Sequence, residues 1–101
     1  MPELSCTARR IGDYESRTEE YEVSFVAGDA PGKTLQVKYQ AARAFEINAA
    51  LDACAEAARV TIAESGLANK PTDETLAQLA WKTVQSAKYE EGAPRVRTLE
   101  L

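Results

Sequence analysis

Between Ala41 and Ser65 the chain reads AARAFEINAALDACAEAARVTIAES, with no glycine or proline to interrupt it. Alanine is the best helix former, and a run this rich in it dictates one long helix. Ala44, Ile47, Leu51, Cys54, Ala58 and Ile62 follow at steps of three or four, which makes an apolar stripe of helical period. Gly66 then suits the left-handed position just past a helix end. On the polar side, Arg43 with Glu46 and Glu56 with Arg59 stand three apart, a spacing for ion pairs. At ~1.5 Å per residue the stretch spans on the order of 36 Å, and everything else in the chain must pack on it.

The small residues repeat every four positions in two rows, Ala49–Ala53–Ala57 and Ala50–Cys54–Ala58. The helix therefore has more than one smooth side. Small side chains let a second helix or a sheet approach closely. The row Ala49, Ala53, Ala57 is the candidate contact between two copies of the chain. Charges every few residues exclude the close-packed small-residue motif of membrane helices.

The rest of the chain supplies a sheet and a second helix. Leu4, Cys6 and Ala8 alternate with Ser5, Thr7 and Arg9 up to Ile11, a weak strand pattern that Gly12-Asp13 ends. Polar residues through Glu19 read as a loop. Tyr21, Val23, Phe25 and Ala27 then alternate with Glu20, Glu22 and Ser24, and Leu35, Val37 and Tyr39 alternate with Gln36, Lys38 and Gln40. The turn-rich residues 28–33 between them complete a β-hairpin, apolar on one face and polar on the other. After a short loop from Leu67 to Pro71, Thr72 is an N-cap with Asp73 and Glu74 in the first helical turn. Leu76, Leu79, Ala80, Thr83 and Ala87 form the stripe of this second helix, which is expected to end near Glu90. Val96, Leu99 and Leu101 in the tail suggest a short edge strand. The expectation is a single α+β domain over residues 1–101. About three antiparallel strands, with a fourth in the C-terminal tail, carry two helices on one face in the order β-β-β-α-α.

Charge and residue inventory narrow the function. The chain has no histidine, which removes the commonest general base and the commonest metal ligand. A Ser-His or Cys-His nucleophile cannot be built within it. Cys6 falls on a strand pattern and Cys54 on the helix stripe, so both read as small buried apolar residues. Asp52 and Glu56 share a helix face, a spacing that can hold a metal or divide acid and base roles, but Arg59 follows one turn on and a solvated face explains them. Residues 27–34, AGDAPGKT, match the looser phosphate-loop pattern with Ala27 for its first glycine. Such a loop must open a helix, whereas residues 34–40 alternate with period two, so a hairpin turn is expected. Tyr14, Tyr21, Tyr39, Arg9, Arg10 and Arg17 could form a single-strand nucleic-acid face. Tyr21 and Tyr39, however, fall on the core-facing side, and the net charge of −4 opposes phosphate binding. Only residues 92–101 are net positive, through Arg95 and Arg97 against Glu100.

The opening MPELSCTARRIG lacks the apolar run of a signal peptide, and no segment has the ~18 apolar residues of a membrane span. A cytoplasmic protein with reduced cysteines is expected. No catalytic residue, cofactor or metal is expected. The functional expectation is a non-enzymatic protein–protein interaction module. The form that fits is a homodimeric inhibitor or accessory protein of phage or mobile-element type. Ala49, Ala53 and Ala57 are its candidate contacts; Trp81, off the centre of its helix stripe, reads first as a core residue and second as an anchor of the kind found at binding hot spots. The rival readings are a small-molecule or nucleotide binder using the 28–34 turn, and a nucleic-acid-associated protein.

Overall fold

The computed structural model describes residues 3–12, 17–28, 32–67, 70–89 and 92–101. Three strands, two helices and a fourth strand follow in order: β1 (Glu3–Ile11), β2 (Thr18–Ala27), β3 (Lys33–Gln40), α1 (Ala44–Ser65), α2 (Asp73–Ala87) and β4 (Arg95–Glu100). The strands form one antiparallel sheet in the order β3-β2-β1-β4. The α+β class and the fourth strand are as the sequence indicates. β4 does not join β3, its nearest strand in sequence; it pairs with β1, on the opposite edge.

Period-two alternation sets the register. Leu4, Cys6 and Ala8 stand opposite Ala27, Phe25 and Val23, and Tyr21 stands opposite Val37. All of them are buried on the face under the helices. α1 lies against β3 and β2, and α2 against β1 and β4. The opposite face is polar. There Arg9 reaches Glu22 at 3.5 Å and the Ser24 and Thr34 hydroxyls meet at 3.1 Å, each pair directly opposite in the ladder. β2 starts at Thr18, so Glu19 belongs to a strand and not to the loop expected there. Asp13, Tyr14 and the turn residues 29–31 lie outside the described residues.

α1 starts three residues later than the composition suggests. Ala41 and Ala42 are spent turning the chain after β3, where the Arg43 amide donates to the Gln40 carbonyl at 2.9 Å. Arg43 caps the helix without a side-chain hydrogen bond, so no local residue marks the start. The end is as read: Gly66 has φ 74°, and its N–H donates to the Ala63 carbonyl. In α2 the Thr72 hydroxyl accepts from the Thr75 N–H at 3.2 Å. α2 ends at Ala87, before Glu90, which lies outside the described residues. Arg59 holds Asp73 at 2.6 Å, fixing the start of α2 beside the last turns of α1. This replaces the Glu56 pairing expected for Arg59, whereas Arg43 and Glu46 do approach, at 3.9 Å.

Candidate interaction surface

α1 has two unlike sides. Inward, Cys54, Ala55, Ala58, Thr61 and Ile62 are buried, with Ile47, Ala50, Leu51 and Ala57 packed at their margin. Ala44, at the head of the expected stripe, is exposed. The reason is length. The 22 residues of α1 reach about 33 Å, while the eight of β3 reach about 26 Å. Outward, Ala49 and Ala53 face solvent beside Phe45, which is 69% exposed, and Val60, which is 40% exposed.

The four interface candidates do not form one surface. Ala49 and Ala53 are exposed, whereas Ala57 is half-buried against the core. Each step of four residues turns about 40° around a helix, so the row rotates toward the sheet by its third member. Trp81 is on α2, packed at the margin of the core, with its ring tilted 46° on Tyr39 at 6.1 Å. Phe45 and Val60 are the outward residues that the row Ala49–Ala53–Ala57 leaves out. Stepping that row back four positions reaches Phe45.

A polar nest lies under the helices at the far end of β2 and β3. Glu19 is only 5% exposed, and the Tyr21 hydroxyl donates to its Oε1 at 2.6 Å. Tyr21 stacks on Tyr39 at 6.0 Å. Burial first, then the Glu19 carboxylate, pushes the Tyr39 phenol up to about 12. Among the described residues its hydroxyl has no hydrogen-bond partner. Burial raises the Cys6 and Cys54 thiols to about 11 and about 12, which keeps them protonated and unreactive.

The other sequence candidates stand apart. Lys33 is paired with Glu64 at 3.2 Å, and Thr34 with Ser24 at 3.1 Å, and no helix follows the turn directly. Asp52 and Glu56 are exposed, and no group of three potential metal ligands occurs among the described residues. Tyr21 and Tyr39 are in the core, Arg9 is held by Glu22, and Arg10 donates to the Lys88 carbonyl at 2.8 Å. The aromatic and basic residues therefore share no open face; Tyr14 is outside the described residues. No described helix is long and apolar enough to cross a membrane. Comparison with known proteins gives no match: no family model fits the chain, and no curated protein or solved structure is similar to it.

Proposed function

We propose that the chain is a non-enzymatic protein–protein interaction module that pairs with a second copy of itself through the outward side of α1. The observation that supports this is Phe45, 69% exposed at the head of a helical segment, 44–53, in which no side chain is buried. Burying an aromatic or large aliphatic side chain contributes about 1.5–3 kcal/mol, and here that gain is left to a partner. Ala49 and Ala53 beside it keep the surface low enough for a second helix to lie close. A small acidic module of this kind acts by occupying another protein's surface, as an inhibitor or accessory subunit does.

The test is sedimentation of wild type and Ala53→Glu at matched concentration. Wild type is expected to be dimeric at high micromolar concentration and Ala53→Glu monomeric, with equal urea midpoints once dilution has made wild type monomeric too. A monomeric wild type would remove the homodimer. A dimer that survives Ala53→Glu would move the interface off α1.

A further inference from the structure

β4 is an edge strand, and among the described residues its strand neighbour is β1 alone. In an antiparallel ladder every second residue of an edge strand turns its N–H and C=O outward, away from its partner. α2 runs beside this edge, and a groove of about 370 Å³ lies between the two. Leu79 and Leu99 give the groove its apolar part. Its ends differ in charge. The Lys88 carbonyl takes a hydrogen bond from Arg10, and Ala8 pairs with Arg95, so the end of α2 lies by the start of β4. Lys82 and Arg97 fall toward that end, and Glu74 toward the other.

Both cations are exposed, and neither has an ion-pair partner among the described residues. Arg9, Lys33, Arg43 and Arg59 each have one. On a chain of net charge −4, an unmatched pair of cations beside an open strand edge is a local inversion of sign. At the opposite end of β4, Glu3 and Glu100 stand directly across from each other and repel further negative charge.

We propose that the β4 edge and the α2 groove bind an extended acidic peptide segment of a partner protein, added to the sheet as a fifth strand. Backbone hydrogen bonds to β4 supply sequence-independent affinity. Alternate side chains enter the groove over Leu79 and Leu99, and the segment's carboxylates meet Lys82 and Arg97. The surface is separate from the outward side of α1, so one copy can pair with its twin and hold a partner segment together.

The test is fluorescence anisotropy with a short fluorescein-labelled peptide that carries two valines and two glutamates on one set of alternate positions, with threonine between them so that both kinds face the groove, against its valine–lysine counterpart. The glutamate peptide is expected to bind about tenfold tighter, the order that two part-exposed ion pairs supply. Lys82→Glu with Arg97→Glu should reverse the preference, and Lys82→Ala with Arg97→Ala should abolish it. N-methylation of alternate backbone nitrogens in the glutamate peptide should remove binding, and amide shifts should fall on residues 96–100. Ala53→Glu should leave peptide binding unchanged, which separates this surface from the one on α1. No binding of the glutamate peptide, or equal binding of the two peptides, overturns the proposal and leaves Lys82 and Arg97 as charges that keep the edge unpaired. Concentration-dependent broadening confined to the 96–100 amides without peptide also overturns it, because a second copy then occupies the edge.

Discussion

From Cys54 to Ile62, α1 keeps five side chains buried against the sheet and α2; from Ala44 to Ala53, the same helix keeps none. Both halves are rich in alanine and free of glycine and proline. What separates them is the ground beneath. The later half is held by full burial, while the earlier half touches the core only at its margin, through Ile47, Ala50 and Leu51, and otherwise continues a helix already nucleated, where each added residue costs little. Helix propensity and burial are therefore independent along one element, and the propensity of the earlier half leaves its outward side open to a partner.

The sharpest way to break this contrast is to place a charge in each half. Ala58→Glu buries an unpaired carboxylate at a fully buried position and should cost several kcal/mol, enough to unfold a small domain. Ala49→Glu, on the exposed half, should stay within about 0.5 kcal/mol when both proteins are dilute enough to be monomeric. Urea midpoints for the two variants decide it, and similar midpoints would mean that α1 is rotated on the sheet.

High pH probes the boundary itself, because Cys54 is the first buried residue of α1. The Cys6 and Cys54 thiols lie at about 11 and about 12 when folded, against an ordinary 9.0. Between these values the unfolded chain has lost protons that the folded chain still holds, so stability falls as pH rises. The loss should begin near pH 9 with the thiols, steepen near pH 10 as the buried Tyr21 and Tyr39 phenols, both raised by burial, add to it, and continue past pH 12. Ellman's reagent at pH 8 should label neither thiol until urea unfolds the chain, whereas Ala49→Cys should add a thiol that reacts at once. Immediate labelling of Cys54 would put the buried half's edge in the wrong place.

The mildest test compares Leu51, half-buried near the junction of the halves, with Lys38 on the open face of the sheet. Leu51→Ala should cost about 2 kcal/mol, the low end for leucine truncation, because part of the side chain is already wet. Lys38→Ala should change stability by less than about 0.5 kcal/mol. Equal shifts in urea midpoint would show that Leu51 is not packed on the core.

Much of this fold is written in local periodicity. Tyr21, Val23 and Phe25 announce β2, and Thr72 with Asp73 and Glu74 announces α2, because their signals are set by residues adjacent in sequence. The features that escape are set by residues far away. Arg59 turns from Glu56 to Asp73 because α2 brings a carboxylate to 2.6 Å. Glu19 reads as a loop residue because it is a carboxylate, yet it stands two before Tyr21 on the same strand face and lies buried under that residue's hydroxyl. In the tail, Val96 and Leu99 stand an odd number of residues apart and so cannot share a strand face. Leu99 goes to the core side opposite Leu4, and Val96 goes to the open face at 60% exposure. Of the candidate surface, the alanines are legible, and so is the helical phase that turns Ala57 inward and Phe45 outward, but the exposure of Ala44 depends on where the sheet stops.

The pairing of β4 with β1 also fixes the order in which the molecule can come together. Glu3 meets Glu100 and Ala8 meets Arg95, so this ladder closes a loop containing β2, β3 and both helices. The hairpins from β1 to β3 close short loops and can form early, but β4 must wait until most of the chain is in place. Until it docks, β1 is itself an edge with an unpaired backbone. A nascent or partly unfolded chain is therefore open to strand exchange along β1, the strand that the finished molecule conceals.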